Sequence, residues 1–266
     1  MPVLRLAIIQ MPLEIGDRKT NFAKLEKMLA DNWTDSEYST VVILPEIWDV
    51  GYIIEKAETY GDRDAAEAAS FLGGLAKKYK CWFVGGSVLA LTDQGAANRA
   101  MVVNPSGEYI AYYDKAHLIA LMDEDKYLVG GNGRTHIKVD GVDLGLSICY
   151  DLRFPEWQRL YSVEGSELLV FSAEWPTSRI EHWKIMLQSR AVENTCYVAG
   201  CNRVGTTGNT PFGGASMVID PWGEVLYQGG DNEEFKFVEI DSAKVTKARE
   251  FIKVFDARRP ELYREN

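Results

Sequence analysis

The feature that most constrains the fold is a pattern that the chain carries twice, once in each half. Residues 100–110 and 216–226 each combine an apolar run, an Asx-Pro-x-Gly turn sequence and a second strand-forming run. Proline presets the first turn position and glycine accepts a positive φ, so turn chemistry alone accounts for part of this match. The preceding elements decide whether the match extends beyond the hairpins.

Those preceding elements also correspond, and they occur in the same order. The corresponding pairs are the apolar runs 82–86 and 197–201, the predicted helices 64–80 and 181–194, and the strand-like segments 41–46 and 168–174. Four elements in one order indicate a duplicated unit of strand, helix, strand, strand, turn and strand.

Two properties of these elements indicate how they pack. The runs 41–44 and 168–171 are apolar throughout, which is typical of strands that are buried on both faces. The helix at 181–194 is amphipathic, with apolar residues three or four positions apart. These residues are Trp183, Leu187, Ala191 and Val192. We therefore predict an α/β fold, an α-β-β-α sandwich of two mixed sheets flanked by helices, with an internal pseudo-two-fold repeat.

Composition and charge narrow the class of protein. We assign the 266 residues to a single domain, 1–266, with a short C-terminal tail at about 251–266. The net charge of −10 argues against a nucleic-acid partner. No stretch approaches the ~20 apolar residues of a membrane helix, and no signal peptide is recognisable. Four cysteines without disulfide or zinc-ligand spacing predict a cytoplasmic protein with reduced thiols.

One of these cysteines lies in a segment typical of an enzyme nucleophile. Cys149 follows the strand-like run 142–148 and precedes a turn and then Pro155-Glu156, a typical helix start. This order predicts a nucleophile on a strand-to-helix elbow, where the positive end of a helix would favour the thiolate. A buried cysteine that acts as a small hydrophobe is the competing interpretation.

Two more reactive side chains follow predicted strands. Glu46 follows the run 41–44, and Lys115 follows the first hairpin. The duplicated architecture would bring both to the seam between the sheets, near Cys149. A buried carboxylate is suited to general-base catalysis and a fixed ammonium to stabilising an oxyanion. A loop acid and a solvated lysine are the alternatives, and His117 leaves a Cys-His enzyme open.

Three segments together resemble the signatures of the nitrilase superfamily of carbon–nitrogen hydrolases. They are 44–46 (Leu-Pro-Glu), 114–118 (Asp-Lys-Ala-His-Leu) and 149–156 (Cys-Tyr-Asp-Leu-Arg-Phe-Pro-Glu), in the family's order and approximate spacing. The resemblance covers nearly the whole chain and implies a single carbon–nitrogen hydrolase domain. It implies that Glu46 is the general base, Lys115 the oxyanion stabiliser and Cys149 the nucleophile, with no metal or organic cofactor.

The resemblance also implies the course of the reaction. Glu46 would take the thiol proton while sulfur attacks an amide-type carbon, and Lys115 with the backbone N–H of Tyr150 would hold the oxyanion. Ammonia would leave, and water would hydrolyse the thioester that remains. Family members often carry a second glutamate between lysine and cysteine; we select Glu124 from the acidic run 123–125, with an exposed acidic loop as the alternative.

The segment 172–179 indicates the substrate. It resembles the omega-amidase-like branch, which hydrolyses the terminal amide of short dicarboxylic acid monoamides such as 2-oxoglutaramate and succinamate. The small-molecule amide would then lie against Trp175. Arg153 would either pair with the substrate carboxylate or lock the elbow through Asp151 or Glu156. We expect Arg179 to be structural or at the surface.

Other functions and the assembly stay open at this stage. Deaminated glutathione amidase and N-carbamoyl amino-acid hydrolase are close alternatives, and a true nitrilase is less favoured. A catalytically silent binding protein or thiol redox sensor is the alternative from another class, against which the intact catalytic set argues. The family implies a homodimer or larger homo-oligomer through the outer helices, across which the tail 251–266 would reach.

Overall fold

A computed structural model describes residues 2–263 of the chain. The strands are β1 (Val3–Gln10), β2 (Ser39–Ile43), β3 (Asp62–Arg63), β4 (Trp82–Thr92), β5 (Gly95–Val103), β6 (Tyr109–Asp114), β7 (His136–Val139), β8 (Val142–Ile148), β9 (Leu168–Ala173), β10 (Tyr197–Asn202), β11 (Val204–Thr207), β12 (Thr210–Gly213), β13 (Met217–Ile219), β14 (Val225–Gln228) and β15 (Glu234–Asp241). The α-helices are α1 (Arg18–Asn32), α2 (Ala57–Tyr60), α3 (Ala66–Tyr79), α4 (Glu124–Tyr127), α5 (Pro155–Val163), α6 (Ile180–Asn194) and α7 (Ser242–Phe251). Short 3₁₀-helices span Ile54–Lys56, Ala120–Met122, Cys149–Arg153, Thr177–Arg179 and Pro260–Leu262.

The strands form two large sheets with the same connectivity. The first has the order β15-β1-β2-β4-β5-β6, with β3 beside β4, and the second has the order β14-β13-β10-β9-β8-β7. In the first, β1, β2 and β4 are parallel and β5 and β6 are antiparallel additions. In the second, β8, β9 and β10 are parallel, followed by antiparallel β13 and β14. The predicted pseudo-two-fold repeat is therefore confirmed.

The two sheets pack face to face, with helices on both outer sides. Apolar residues of both sheets, such as Ile8, Ile43 and Val170, fill the space between them. Helices α1 and α3 cover the outer face of the first sheet. Helices α5 and α6 cover the outer face of the second. This is the predicted α-β-β-α sandwich, and each fully buried Leu or Ile in it contributes about 1.5–3 kcal/mol through the hydrophobic effect.

Both predicted helices are present, with small differences. Helix α3 begins two residues later than predicted because Asp64 and Ala65 adopt positive φ angles of 52° and 59°. The Asp62 carboxylate caps its start by accepting from nearby backbone N–H groups. On α6, Val192 is 51% exposed, so its assignment to the buried face was wrong.

The chain beyond α7 is only partly covered by the structure. Residues 252–263 form turns and the short 3₁₀-helix at 260–262, and the last part of the predicted tail, 264–266, lies outside the described residues. Within residues 2–263 no helix combines the length and the apolar character that crossing a bilayer requires.

Candidate active site

The predicted reactive residues meet at one cavity between the two halves of the sandwich. Its volume is about 380 Å³, and Glu46, Lys115 and Cys149 line it. Each of the three follows the end of a strand, β2, β6 and β8 respectively. The structure therefore brings together side chains that are more than 30 positions apart in sequence.

Glu46 is fully buried and held by several donors. Its Oε1 accepts from Lys115 Nζ at 2.9 Å and from Asn98 Nδ2 at 2.8 Å. Its Oε2 accepts from the backbone N–H of Glu174 at 2.8 Å. The next residue, Ile47, has a φ of 40°, and its N–H donates to Ser87 Oγ at 2.8 Å. Glu46 therefore precedes a strained turn at the wall of the cavity.

Lys115 lies between two carboxylates. Its Nζ is 2.9 Å from Glu46 Oε1 and 2.6 Å from Glu124 Oε1, and its side chain is 1% exposed. Burial alone would lower the pKa of Lys115, but the charges of Glu46 and Glu124 outweigh burial and raise it. The ammonium is therefore kept charged and fixed in place.

Glu124 is the acid that the structure selects from the run 123–125. Its side chain is fully buried, whereas Asp123 and Asp125 are exposed. Asp123 adopts a φ of 58°, and α4 begins at the next residue. Glu124 Oε2 also accepts from the backbone N–H of Ile119 at 2.8 Å. The alternative of an exposed acidic loop is thus wrong for Glu124.

Cys149 occupies a strained elbow between β8 and a 3₁₀-helix. Its φ is 42°, a conformation that costs a non-glycine residue about 1–2 kcal/mol. The Asp151 carboxylate stabilises the elbow by accepting from Ile148 N–H at 2.9 Å and from Tyr113 Oη at 2.8 Å. His117 Nδ1 lies 2.7 Å from the same carboxylate. His117 is therefore a support of the elbow, which argues against the Cys-His alternative.

The protonation of Cys149 differs from the expectation based on helix position. Burial and the neighbouring charge of Glu46 raise the pKa of the Cys149 thiol well above its usual value, and Lys115 only partly opposes them. The prediction that a helix end favours the thiolate was wrong because burial and a carboxylate outweigh a partial dipole charge. The sulfur consequently needs a base at the moment of reaction.

The predicted substrate-binding residues line the same cavity. Tyr150, Arg153 and Trp175 all contribute to its wall. The Arg153 guanidinium lies 5.0 Å from the centre of the Trp175 ring, and its Nη2 is 3.5 Å from His182 Nδ1. Among the described residues Arg153 forms no ion pair with Asp151 or Glu156. The alternative prediction, that Arg153 locks the elbow, is therefore wrong.

Sequence reasoning missed three polar residues at this cavity. Tyr52 lines it with a buried hydroxyl that makes no hydrogen bond of normal geometry among residues 2–263, although burial and the nearby Glu124 carboxylate raise the pKa of Tyr52. Arg179 lines it too, contrary to the expected surface or structural role. Glu174 lines it and pairs with Arg203 at 2.8 Å, and both side chains are fully buried. The only signal in the sequence was the match of 168–174 to 41–46, which aligns Glu174 with Glu46.

The buried Glu174–Arg203 pair has an unusual protonation equilibrium. Burial raises the pKa of Glu174 to about 7, although Arg203 opposes the rise. Glu174 Oε1 and Arg203 Nη2 each have no hydrogen-bond partner in the described part of the chain. The charged pair is thus incompletely satisfied.

The site offers no arrangement of metal ligands. Over residues 2–263 no group of three or more His, Cys, Asp or Glu side chains is placed to hold a metal ion. All four cysteines are free. The groups at the cavity are an acid, an ammonium and a thiol, the combination that nucleophilic acyl transfer uses.

Comparison with known proteins gives the family. The sequence model described as "Carbon-nitrogen hydrolase" matches residues 5–250. The chain belongs to the carbon–nitrogen hydrolase family. The predicted resemblance to the nitrilase superfamily is thereby confirmed.

Similar proteins indicate the branch of the family to which this carbon–nitrogen hydrolase belongs. It is 39% identical to the 2-oxoglutaramate amidase of Bacillus subtilis (strain 168), over 97% of this chain and 98% of the relative. It is 33% identical to the omega-amidase YafV of Escherichia coli (strain K12), over 94% of each. A crystal structure of XC1258 from Xanthomonas campestris, which carries an arsenic adduct in its active site, superimposes with a TM-score of 0.90 at 28% identity, covering 97% of this chain and 98% of that one. The predictions of an enzyme and of the omega-amidase-like branch are confirmed.

Proposed function

We propose that this carbon–nitrogen hydrolase is an amidase that hydrolyses the terminal amide of short dicarboxylate monoamides of the 2-oxoglutaramate or succinamate type. The observation that carries the proposal is the meeting of Cys149, Glu46 and Lys115 at one cavity. Relatives named 2-oxoglutaramate amidase and omega-amidase support the substrate class. We propose one catalytic domain, 1–266, with Glu46, Lys115 and Cys149 as a catalytic triad.

In the first step Cys149 attacks the amide carbon. Glu46 accepts the thiol proton as the C–S bond forms, because the raised pKa of Cys149 leaves little free thiolate. The carbonyl electron pair moves to oxygen, where Lys115 Nζ and the backbone N–H of Tyr150 stabilise the charge. Glu124 also holds Lys115 in place through its 2.6 Å contact.

In the second step the tetrahedral intermediate collapses to a thioester. The protonated Glu46 gives its proton to the amide nitrogen, the C–N bond breaks and ammonia leaves. Water then attacks the thioester carbon while Glu46 takes a proton from it. The C–S bond breaks and the sulfur recovers a proton, so one amide and one water yield one acid and one ammonia.

The test measures ammonia release by the purified protein with added chelator, on succinamate, 2-oxoglutaramate, an N-carbamoyl amino acid and deaminated glutathione. We expect turnover of the two monoamides, and Cys149→Ala to lower kcat by about 10⁴-fold or more. A Cys149→Ala protein that is folded and active would contradict the mechanism. Turnover of only the carbamoyl or peptide-like substrate would contradict the substrate class.

We also propose a homodimer that forms through the outer helices of the second half. Exposed apolar side chains cluster there, and Ile185, Val192 and Trp222 surround one groove. Light scattering should show Ile185→Glu to be monomeric, whereas Ile110→Glu, on the edge strand β6, should leave the dimer intact. A wild-type monomer at micromolar concentration would contradict this proposal. Because the mechanism needs a free thiol, we propose a reducing compartment, the cytoplasm.

A further inference from the structure

Two arginines line the cavity of Cys149 without a carboxylate partner. Arg153 and Arg179 both contribute to its wall, and within residues 2–263 neither forms an ion pair. The two carboxylates that line the cavity are each matched to another cation. Glu46 pairs with Lys115, and Glu174 pairs with Arg203. Among the described residues, the two guanidinium groups therefore have no carboxylate partner at the cavity wall, whereas the ammonium of Lys115 is shared by the carboxylates of Glu46 and Glu124.

This local charge is opposite to that of the whole protein. The chain carries a net charge of −10, which repels anions on approach. Two guanidinium groups without a carboxylate partner in the described chain oppose that field where a ligand would bind. A guanidinium presents two parallel N–H donors that match a carboxylate, a geometry that lysine does not offer.

Trp175 contacts both arginines before any ligand arrives. Trp175 Nε1 donates to the backbone oxygen of Arg179 at 2.8 Å, and the Trp175 ring lies under the Arg153 guanidinium at 5.0 Å. Asn202 holds Trp175 in turn: its Oδ1 accepts from Trp175 N–H at 2.7 Å, and its Nδ2 donates to Trp175 O at 3.0 Å. Trp175 thus connects the guanidinium group of Arg153 with the backbone of Arg179, which reduces the ordering that binding requires.

We infer that Arg153 and Arg179 form one carboxylate subsite, which holds the acid end of the substrate while its amide end lies at Cys149. Arg153 is four residues beyond Cys149 in a 3₁₀-helix, about 8 Å along its axis, so a short-chain acid can reach both. The inference rests on the proposed function and deepens it, since it assigns the selection of an anionic substrate to two named residues. Arg179 is a specificity-determining residue that touches the substrate.

The experiment compares two amides of equal length. Succinamate carries a carboxylate where butyramide carries a methyl group, and kcat/KM is measured for both with wild type, Arg179→Gln, Arg153→Gln and the double variant. A hydrogen-bonded charged pair is worth about 1.5–3 kcal/mol, so each single change should lower kcat/KM for succinamate by about 10- to 100-fold. Butyramide should change by less than about threefold, because it makes no contact with either guanidinium.

Two further variants make the result specific. Arg179→Lys keeps the charge but not the two parallel donors, so its loss on succinamate should be intermediate. Arg63→Gln removes an exposed arginine that pairs with Asp93 outside the cavity, and it should leave both substrates unchanged. Arg179 contacts Trp175 through its backbone oxygen, which every variant retains.

A binding measurement separates failure of this inference from failure of the proposed function. Calorimetric titration of succinate, the product, into Cys149→Ala should show binding that Arg179→Gln abolishes, without any need for turnover. If wild type hydrolyses both amides and the arginine variants lower both equally or neither, the subsite is wrong and the amidase proposal stands. If wild type hydrolyses no amide although succinate binds through Arg179, the amidase proposal is wrong.

Discussion

Glu46 and Glu174 occupy corresponding places in the two halves of the molecule. Glu46 follows β2 and Glu174 follows β9, the middle parallel strands of the two sheets. Both are fully buried, and the backbone N–H of Glu174 donates to Glu46 Oε2. Each forms an ion pair: Glu46 with Lys115, at an N–O distance of 2.9 Å, and Glu174 with Arg203, at 2.8 Å.

The two glutamates differ in what surrounds the pair. Lys115 is shared with Glu124, and the thiol of Cys149 is close enough to Glu46 for the carboxylate to raise its pKa. Arg203 continues into the β11–β12 hairpin, where Nη1 donates to Thr207 Oγ1 at 3.0 Å and the guanidinium lies 4.6 Å from the Phe212 ring. We propose that the same position in a duplicated fold serves chemistry in one half and structural support in the other. A nucleophile near the first glutamate makes the difference.

The largest contrast is expected from isosteric changes of the two glutamates. Glu46→Gln removes the general base and should lower kcat by about 10²- to 10⁴-fold. Glu174→Gln keeps the backbone N–H that reaches Glu46, so kcat should fall by less than about tenfold. Steady-state kinetics on succinamate, with thermal unfolding to confirm the fold, makes the comparison. Equal losses would show that both glutamates act in the reaction.

Variants of Lys115 and Arg203 should separate effects on activity from effects on stability. Removing one member of a buried ion pair destabilises a protein by about 3–5 kcal/mol, so Lys115→Met and Arg203→Met should both unfold at lower urea concentration. Only Lys115→Met also loses the oxyanion contact, worth about 10²–10³-fold in kcat.

Second-site changes provide the control for this contrast. Adding Glu174→Gln to Arg203→Met removes the unpaired acid and should restore most of the stability. Adding Glu46→Gln to Lys115→Met should restore no activity. Recovery of activity in that double variant would contradict the assigned role of Lys115.

Much of the fold and the central site could be predicted because their signals are local. The repeated turn sequences at 104–107 and 220–223 and the apolar runs specify the duplicated sheets. Glu46, Lys115 and Cys149 follow predicted strand ends, so the topology alone brings them together. The choice of Glu124 came from the family resemblance, and the coordinates were needed to exclude an exposed acidic loop: the positive φ of Asp123 sets where α4 begins, and Glu124 is buried.

What could not be predicted depends on contacts that are distant in sequence. Glu174 is buried only because Arg203, 29 positions later, compensates it. Arg179 reaches the cavity because Trp175 and the neighbouring hairpin hold its segment. For Cys149, sequence suggested the helix end but gave no measure of burial, which has the larger effect on its pKa.

Stability should depend on pH through Glu174. Its pKa is higher in the folded protein, at about 7, than in the unfolded chain, so this carboxyl favours folding when protonated. That contribution is complete below about pH 4.5 and is lost as pH rises through about 7. The free energy of unfolding of wild type, relative to Glu174→Gln, should therefore fall by up to about 3 kcal/mol between these values. Urea unfolding of both proteins from pH 4 to 8 measures this; a constant difference would contradict the raised pKa.

The smallest effect on activity and stability is expected at Tyr52. Tyr52 lies in the segment after Glu46 in the first half, as Arg179 lies in the segment after Glu174 in the second half, and both line the cavity. The buried hydroxyl of Tyr52 makes no hydrogen bond of normal geometry in the described chain and lies near the Glu124 carboxylate, so Tyr52→Phe should leave the free energy of unfolding unchanged or raise it by about 1 kcal/mol. Because Tyr52 lines the cavity, its hydroxyl can donate to the bound amide, and kcat/KM should fall by about tenfold. Tyr109→Phe is the matched control, since the Tyr109 hydroxyl is likewise buried without a partner but lies in the outer core of the first sheet. Stability should respond alike in the two variants, and activity should fall only in Tyr52→Phe. An equal change of activity in the two variants would contradict a contact between the Tyr52 hydroxyl and the substrate.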